Sequence, residues 1–342
     1  MRILAYPGPG MRSINPYSYL FYTNIDAEVI EYSRKTLFDG RYDIFHIHWP
    51  ESALNTLGAR SAYLHLQKKL CIIDVLRSRG TKIVWTVHNL KSHEQLHPRL
   101  EAWFWKAFTK RLDAFFALSQ AGEKAVRARF SAMETLPGYV IPHGHYRGEY
   151  ANEQDLKARE KLGISPNAIV VLSFGEIRPY KNIDQLISAF RQLPDENLVL
   201  MIVGSCQISA YAKLLSKLAS DDSRIRFTPE RIPSEDVQLY MQAADLVALP
   251  YRDILNSGTA LLALSFNRPI LVPEFGAMKE LASSVGTDWV MNFPGDLSSK
   301  VLRDAINWAM ETERTDIAPL NEFEWGCIGS KATDAFRRIC SQ

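Results

Sequence analysis

At 342 residues the chain is too long for one ordinary domain and suits two domains of about 150 to 200 residues. A composition of 46% hydrophobic and 23% charged residues is typical of a globular protein, and no apolar segment approaches the roughly 20 residues that span a bilayer. The net charge of +2 is uneven: residues 1–150 carry 20 Lys and Arg against 13 Asp and Glu (+7) and the remainder carries 20 against 25 (−5), which predicts two domains with different tasks.

The chain begins with "MRILAYPGPG", which predicts a strand and a turn and lacks the apolar core of a signal peptide. The four cysteines are scattered and form no CxxC pair. Both features are typical of a cytoplasmic protein with reduced thiols. We therefore expect a cytoplasmic protein, either free or peripheral at the inner face of the membrane.

Strands alternate with helices along the first half, as in βαβ units with a parallel sheet. The predicted strands are 2–7, 44–49, 82–88, 114–119 and 139–143. Helical spacing of apolar residues predicts helices at 16–36, 55–79, 98–111 and 120–130.

Two of these strands bring histidines toward their carboxyl ends. "DIFHIHWPESALN" places His46 and His48 on one face, because side chains alternate along a strand, and "WTVHNLKSHEQLHP" delivers His88 and His93. Two or three of these rings could bind a metal. Neutral histidines paired with carboxylates or hydroxyls are commoner, so we predict no metal site.

The segment "PRLEAWFWKAFTKRLDAFF" (98–116) combines aromatic residues with lysines and an arginine. Such a helix suits a membrane interface, although core packing explains most of its aromatic residues equally well. With the net charge of the first half, it predicts a weak peripheral attraction to anionic lipid through the N-terminal domain. No module for nucleic acid is recognisable, and no nucleic-acid partner is expected.

The polar segment "GHYRGEYANEQDLKAREKLGISPNA" holds the predicted domain boundary. The second half then repeats the alternation, with strands predicted at 168–174, 198–204, 225–229, 246–251 and 269–275. Its predicted helices are 182–192, 208–220, 234–243, 258–266 and 277–283. We predict domains at 1–150 and 151–315, and a final segment, 316–342, that returns to pack on the first domain.

The turn "SFGEIRPYKNID" places a glycine and two cations between a buried strand and a helix. Gly175 lets the backbone approach a ligand closely, Arg178 can fork onto two phosphate oxygens, and Lys181 supplies a point charge. The following helix begins near Asn182, whose side chain can cap it. Two solvated loop cations are the plain alternative, but the three features together favour a diphosphate site.

A second predicted anion site lies in "PYRDILNSGTALLAL". Ser257, Gly258 and Thr259 open an apolar helix and offer hydroxyl and backbone N–H groups to a phosphate, although an ordinary helix cap explains them too. The fold places this turn near the Arg178–Lys181 turn. No GxGxxG follows any strand, which disfavours a hydride-transfer dehydrogenase.

At this point the second half resembles the nucleotide-sugar-binding domain of GT-B glycosyltransferases of the group 1 type. The resemblance rests on "FGEIRPYKNIDQLISAF", "LVLMIVG", "RIPSEDVQLYMQAADLVALPYRD" and "SGTALLALSFNRPILVPEFGAMKEL" in that order, over about residues 165–285, and more loosely on the first half. It implies an α/β fold of two Rossmann-like domains facing across a cleft, and donor diphosphate contacts for Arg178 and Lys181.

The resemblance also has a gap. Many retaining members of the group carry two glutamates eight positions apart, whereas this chain has Leu262 near the second position and no first glutamate. Asp253, Asn256 or Ser257 are candidate substitutes. For the donor nucleoside and sugar we predict contacts from the following residues of the motif block: Gly175, Arg231, Tyr251, Asn256 and Glu280.

In the first half, "TVHN" resembles the end of a strand in group 1 glycosyltransferases whose histidine contacts the donor sugar. The resemblance implies that role for His88. The pair "HIHWPE" and "VHNLKSH" is similar to bacterial polysaccharide-assembly transferases. Glu51, His88 or His93 could act as the general base on an acceptor hydroxyl, or these residues could only hold sugar hydroxyls. The predicted acceptor contacts are Tyr17, His48 and Trp49.

Together these features predict a metal-independent hexosyltransferase without a cofactor. It would move a sugar from a GDP- or UDP-sugar to a hydroxyl of a glycan or lipid-linked saccharide in bacterial polysaccharide or glycoconjugate synthesis. Two alternatives stay open. One is an inactive nucleotide- or carbohydrate-binding subunit, which the missing glutamate pair favours. The other is a sugar-nucleotide epimerase or phosphorylase-like enzyme on the same fold.

Overall fold

The computed structural model describes residues 1–12, 15–55, 58–92, 94–153 and 157–341. The chain divides into two compact units, one formed by residues 1–144 with 323–342 and the other by 145–322. Each unit holds a six-stranded, fully parallel sheet flanked by helices. None of the described helices is long and apolar enough to cross a membrane.

The first sheet has the strand order β2-β1-β3-β4-β5-β6. Its strands are β1 (Arg2–Tyr6), β2 (Glu28–Glu31), β3 (Ile44–His48), β4 (Lys82–Val87), β5 (Ala114–Ala117) and β6 (Gly138–Val140). The order reverses between β1 and β3, and the carboxyl ends of two such strands frame the crevice in which open α/β sheets bind ligands. The β3 strand is buried along its whole length, as expected for a strand covered on both faces.

The described residues of the first unit form four helices in its own half and one at the chain end. They are α1 (Pro16–Thr23), α2 (Ala59–Ser78), α3 (Pro98–Thr109), α4 (Gln120–Arg129) and α12 (Trp325–Cys340). The α12 helix packs Ile328, Ala332 and Phe336 into the apolar cluster around Ile3 and Phe116. Its backbone approaches α1 so closely that a Cβ at Gly329 would collide with the carbonyl of Asn24.

The second sheet has the order β12-β11-β10-β7-β8-β9. Its strands are β7 (Ile169–Phe174), β8 (Leu198–Val203), β9 (Ile225–Thr228), β10 (Leu246–Ala248), β11 (Ile270–Pro273) and β12 (Val290–Phe293). Here the order reverses between β7 and β10. Consequently, the turns after β7 and β10 meet at one edge of the sheet.

Within the part of the second unit that the structure describes, seven helices surround the sheet. They are α5 (Ala158–Lys161), α6 (Ile183–Phe190), α7 (Ser209–Ser220), α8 (Val237–Ala243), α9 (Gly258–Ser265), α10 (Gly276–Val285) and α11 (Ser299–Glu311). The buried face of α6 contributes Leu186, Ile187 and Phe190 to a core shared with Leu200 and Leu302.

The division of the chain differs from the predicted one by a few residues. Residues just after Gly144 belong to the second unit because the Tyr146 N–H donates to Oγ of Ser265 at 2.8 Å. Arg147 likewise donates to the carbonyl of Ala318 at 2.6 Å. The first boundary therefore falls at 144 rather than 150, and the second at 322 rather than 315.

Several of the described elements were predicted wrongly or missed. The helix predicted at 16–36 ends at Thr23, and residues 28–31 form the edge strand β2, whose four residues are too few to show a period. The predictions stopped before β12 and α11. The α11 helix does carry a readable signal, because Ser298 caps it and its buried Leu302, Ala305 and Ile306 follow helical spacing.

Candidate functional site

In the second unit, the turn after β7 depends on two glycines, Gly175 and Gly204. Gly175 has φ +95°, a conformation that side chains with a Cβ rarely adopt. A Cβ on Gly204, which follows β8, would collide with the carbonyl of Gly175. The two glycines thus let the segments that follow β7 and β8 approach each other closely, and this fixes the path of the turn that carries Arg178 and Lys181.

Arg178 and Lys181 are largely withdrawn from solvent. Nη2 of Arg178 donates to Glu176 at 2.8 Å, with the arginine side chain 12% exposed, and Lys181 is 8% exposed. Burial lowers the pKa of Lys181 to about 8, an effect that the Glu176 carboxylate opposes and Arg178 reinforces. A buried cation held at a sheet edge gains most when an anion enters beside it.

The turn after β10 meets this one, as the sequence predicted. The position that a Cβ would take on Gly175 lies 3.2 Å from Oγ1 of Thr259 and 3.4 Å from Nζ of Lys181. The Nζ atom is also 5.8 Å from the centre of the Tyr251 ring. The four residues therefore surround one small space at the carboxyl ends of β7 and β10.

Ser257 caps the α9 helix, which is the alternative to phosphate binding that the sequence left open. Its Oγ accepts from the Ala260 N–H at 3.1 Å and lies 3.1 Å from the Tyr251 hydroxyl. Burial raises the pKa of Tyr251 to about 12, which hydrogen bonds to Ser257 and Thr259 partly offset. A diphosphate would accordingly meet Thr259 and the backbone N–H groups at the start of α9 rather than the Ser257 oxygen.

Two asparagines in these turns have buried polar atoms without a partner among the described residues, Oδ1 of Asn182 and Nδ2 of Asn256. Asn182 does not cap α6 as predicted, because it adopts the left-handed conformation (φ 59°) and its amide donates to Gln185. The unpaired Nδ2 of Asn256 is a donor without an acceptor, a feature that suits a ligand-binding loop.

Arg231 and Glu280 lie on other elements of the unit. Arg231 is exposed in the loop after β9, and its charge opposes the rise that burial causes in the pKa of Tyr150. Glu280 is half-buried on the second turn of α10. The start of that helix adjoins the turn after β10, because a Cβ on Gly276 would lie 3.6 Å from the Ile254 carbonyl.

In the first unit, the predicted histidines form one continuous hydrogen-bond chain. Oγ1 of Thr86 lies 2.7 Å from Nε2 of His46, and Nδ1 of His46 lies 2.9 Å from the Tyr22 hydroxyl. The same hydroxyl is 2.9 Å from Nε2 of His48, whose Nδ1 is 2.9 Å from Nε2 of His88. Burial lowers the pKa of His46 to about 3 and brings the pKa of His48 and His88 well below its usual value.

The hydrogen-bond chain ends at His88, which packs among aromatic rings. The His88 ring stacks on the Trp49 ring, with centroids 4.1 Å apart and planes 21° apart. The Tyr17 and His88 rings are perpendicular, with their centroids 5.0 Å apart. Trp49 has φ 45°, which is rare for a bulky residue and costs about 1–3 kcal/mol. Strained residues of this kind cluster at functional sites.

Two of the predicted acceptor contacts need correction. His48 is fully buried and both of its ring nitrogens are used within the hydrogen-bond chain. Tyr17 is 1% exposed and its hydroxyl is buried. Neither side chain can touch an acceptor directly in this structure, whereas Trp49 and His88 are partly exposed.

Glu51 follows β3 and is 2% exposed. Its Oε1 accepts from Nδ2 of Asn89 at 3.1 Å. Burial raises the pKa of Glu51 to about 7, and the Asn89 hydrogen bond and the nearby Lys69 charge limit that rise. A carboxyl group with a pKa near neutrality is what general-base catalysis at physiological pH requires.

Sequence reasoning missed two charged residues that support this region. Lys69 reaches from α2 to donate to the Pro50 carbonyl at 2.5 Å, and burial lowers its pKa to about 8. Glu101, buried in α3, accepts from Trp105 at 3.1 Å and from the N–H and hydroxyl of Ser92 at 2.6 Å. A charged residue inside the apolar stripe of a predicted helix was the available signal in both cases.

The remaining predictions for this unit concern His93 and metals. His93 lies outside the described residues. Among the residues that are described, no three His, Cys, Asp or Glu side chains are grouped so as to hold a metal ion. The histidines of β3 and β4 bond to one another and to hydroxyls instead.

Comparisons with known proteins identify the family of this chain. The family model "Glycosyl transferases group 1" matches residues 154–319, and the model "Glycosyltransferase Family 4" matches residues 6–145. A GDP-mannose:glycolipid 4-beta-D-mannosyltransferase from Xanthomonas campestris pv. campestris is 30% identical over 322 residues, which cover 92% of this chain and 86% of that protein.

Two solved structures share the fold. HepE from Anabaena, in complex with UDP and glucose, aligns with 100% of this chain and 98% of its own, at a TM-score of 0.65 and 20% identity. WaaG, a glycosyltransferase involved in lipopolysaccharide biosynthesis, aligns over 98% and 99% of the two chains at a TM-score of 0.61 and 17% identity. With its two parallel sheets of GT-B type and a relative matched over most of both chains, the protein belongs to the group 1 glycosyltransferases.

Proposed function

We propose that the protein transfers mannose from GDP-mannose to a hydroxyl of a lipid-linked saccharide in bacterial polysaccharide or glycoconjugate synthesis. The observation that carries this proposal is the buried Lys181 beside Gly175 and Thr259, at the sheet edge where open α/β folds bind ligands. The mannose donor and glycolipid acceptor are those named for the relative with 30% identity.

The donor diphosphate lies on the second unit. Arg178 and Lys181 pair with its oxygens, and Gly258 and Thr259 offer N–H and hydroxyl groups at the start of α9. Gly175 allows the close approach, and Tyr251, Asn256, Arg231 and Glu280 are the candidates for nucleoside and sugar contacts. Two cations and a helix N-terminus neutralise much of the diphosphate charge, so we propose that transfer needs neither a metal ion nor a further cofactor.

On the first unit, Glu51 is the proposed general base. A β-linked mannoside made from the α-linked sugar of GDP-mannose forms with inversion, which needs a base that takes the proton of the acceptor hydroxyl. Glu51 combines the required pKa with a position directly after β3. Because Glu51 is 2% exposed, the acceptor proton would reach it through a bridging water or after neighbouring side chains move. Trp49 offers the partly exposed apolar face on which an acceptor sugar ring can pack, and His93 remains a second candidate base.

We also propose peripheral contact with the inner face of the membrane. Most aromatic residues of α3 are core residues, because Phe104, Trp105 and Phe108 are buried. The surface that remains is formed by Trp103, whose ring lies 5.3 Å from Tyr63, and by Leu64, which is 65% exposed. Exposed cations flank these residues on the same two helices: Arg60, Lys68, Arg99 and Lys106.

The donor proposal is tested with a panel of GDP- and UDP-sugars, by thermal shift and by turnover with and without EDTA. Stabilisation by GDP, turnover of GDP-mannose and indifference to EDTA are expected. Arg178→Ala with Lys181→Ala should abolish turnover, whereas Lys300→Ala, which removes an exposed lysine of α11, should not. Nucleotide binding without turnover of any donor would identify a binding subunit, and release of an epimerised sugar nucleotide would identify an epimerase.

Membrane contact has its own test. Flotation with vesicles containing phosphatidylglycerol should carry the protein upward at low salt and release it at high salt. Replacing Tyr63, Leu64 and Trp103 by serine should abolish flotation, while Leu214→Ser, a matched change of an exposed leucine in α7, should not. Salt-insensitive or absent flotation of the unmodified protein contradicts the proposal.

A further inference from the structure

The hydrogen-bond chain of the first unit links Thr86, His46, Tyr22, His48 and His88 through four contacts of 2.7 to 2.9 Å. Neutral imidazole has one donor and one acceptor nitrogen, and a hydroxyl has one donor hydrogen. Tyr22 is buried, so its hydroxyl must donate to one of the two histidines and accept from the other. Under that condition the direction of one hydrogen bond fixes the direction of every other one. The chain therefore has two possible proton arrangements and no mixed one that satisfies all its members.

The Thr86 end decides between the two arrangements. Thr86 is 1% exposed, and among the described residues its hydroxyl has one hydrogen-bond partner, Nε2 of His46. If the threonine accepts a hydrogen from His46, its own hydrogen is buried without an acceptor. If it donates, all hydrogens within the chain are used. An unpaired buried donor is costly, so the threonine donates.

Once Thr86 donates, the direction of each further hydrogen bond in the chain is fixed. His46 carries its hydrogen on Nδ1 and donates to the Tyr22 oxygen, and Tyr22 donates to Nε2 of His48. His48 carries its hydrogen on Nδ1 and donates to Nε2 of His88. The hydrogen of His88 must then sit on Nδ1, the nitrogen that makes no hydrogen bond to the described residues.

We propose that this buried chain holds His88 as the Nδ1–H tautomer, so that His88 donates a hydrogen bond to an oxygen of the bound sugar and does not act as a base. Tyr22, His46, His48 and Thr86 are positioning residues that act through His88. The role in sugar binding rests on the proposed function, whereas the tautomer itself does not.

Two features of the site support this assignment. The chain works only with neutral rings, and burial lowers the pKa of His46, His48 and His88 while it raises the pKa of the Tyr22 phenol, so all four are uncharged near pH 7. Stacking on Trp49 and the edge contact with Tyr17 fix the plane of the His88 ring. One nitrogen is thus presented in a set direction.

The tautomer is read directly from the ¹⁵N shifts of the imidazole nitrogens in the full-length protein without substrate, at pH 7. We expect His46, His48 and His88 to show the Nδ1–H form, with assignment by single histidine replacements. An Nε2–H form of His88 would overturn the inference and leave the glycosyltransferase activity untouched. Because this measurement needs no donor, it also stands if GDP-mannose is the wrong substrate.

Tyr22→Phe removes the one hydroxyl that joins the two histidines of β3. Either tautomer of His48 then leaves one of its nitrogens unpaired, so His88 should become a mixture of tautomers and kcat should fall about two- to tenfold. Tyr42→Phe is the matched control, since it also removes a buried hydroxyl, one bonded to the Thr36 carbonyl and outside the chain. An unchanged His88 tautomer in folded Tyr22→Phe would contradict the coupling.

Replacement of His88 separates a donor from a base. The amide nitrogen of asparagine can take the place of Nδ1–H but cannot accept a proton at pH 7. His88→Asn should therefore keep turnover within about tenfold of the unmodified enzyme, while His88→Ala should lose on the order of 10²- to 10³-fold in kcat. Equal losses in both variants would contradict the donor role and support a base.

Discussion

Nζ of Lys181 lies beside Gly175, at 3.4 Å from the position that a Cβ would occupy on that glycine. The two residues are six apart in the chain, and the left-handed Gly175 and the tight turn between them bring the ammonium group back to the end of β7. A buried cation therefore faces a backbone segment that can approach a ligand without side-chain hindrance.

Gly175→Ala should weaken both folding and nucleotide binding. The new Cβ would lie 3.2 Å from Oγ1 of Thr259 at a φ of +95°, so we expect a loss of about 1–3 kcal/mol in the free energy of unfolding and about tenfold in GDP affinity. Urea unfolding and calorimetric titration measure the two effects. Gly286→Ala, with φ +101° and no atom within 4 Å, carries the strain alone and should leave GDP affinity unchanged.

GDP affinity should depend on the protonation of Lys181. The lysine has a pKa of about 8 in the free protein, and the diphosphate binds its charged form. Above pH 8 each binding event must take up a proton, so GDP affinity should fall by about tenfold per pH unit. Lys181→Arg keeps its charge over this range and should flatten the dependence. A flat profile in the unmodified protein would show that Lys181 does not face the diphosphate.

Glu51 should set the acid limb of the pH–rate profile. Its pKa is about 7 and the base form is the carboxylate, so kcat/KM should rise about tenfold per unit below pH 7 and level off above it. Glu51→Gln should lower kcat by about 10²- to 10⁴-fold. Lys69→Met should move the limb to higher pH, because the Lys69 charge lowers the pKa of Glu51. A limb that stays in place in Lys69→Met would assign it to another group.

The buried histidines should make the protein sensitive to acid. The pKa of His46 is about 3 in the folded protein and about 6.5 in an unfolded chain, so its contribution to stability is complete above pH 6.5 and is lost as the pH falls toward 3. From pH 7 to pH 5 this residue alone should cost about 2 kcal/mol of unfolding free energy. Urea unfolding of His46→Asn should show a smaller loss over that interval, and His65→Gln, at an exposed site on α2, should not change it. Identical losses in His46→Asn and the unmodified protein would contradict the assignment.

Much of the fold was readable from local patterns. Ten of the twelve strands among the described residues were predicted from short runs of β-branched or aromatic residues, and β7, for example, begins and ends within one residue of the prediction. The edge strand β2 escaped because "EVIE" is short and half-exposed, and the helix predicted across it would have been 21 residues long, whereas α1 ends at Thr23. An element as short as β2 contains too few residues to show the alternation by which a strand is recognised.

The two halves of the candidate site were predictable to different degrees. The turns after β7 and β10 meet because these two strands are neighbours at the point where the strand order reverses. Such a reversal is a general feature of open α/β sheets. The partners of the supporting residues Tyr22, Lys69 and Glu101 were not predictable. Helical spacing can mark a charge inside an apolar stripe, as at Lys69 and Glu101, but it does not show which group on another element that charge contacts. Their polar groups acquire a role through partners on other elements.

By itself, the sequence determined two parallel α/β domains, the cationic turn at Arg178 and Lys181, and a histidine-rich pair of strands, because each depends on residues within one strand–turn–helix unit. The tertiary structure decided what those residues do. It buried Lys181 beside Gly175, committed Ser257 to capping α9, and joined His46 and His48 through Tyr22, a residue 24 and 26 positions away. Burial and hydrogen bonds between distant segments set charge and tautomer, and these exist only once the chain has folded.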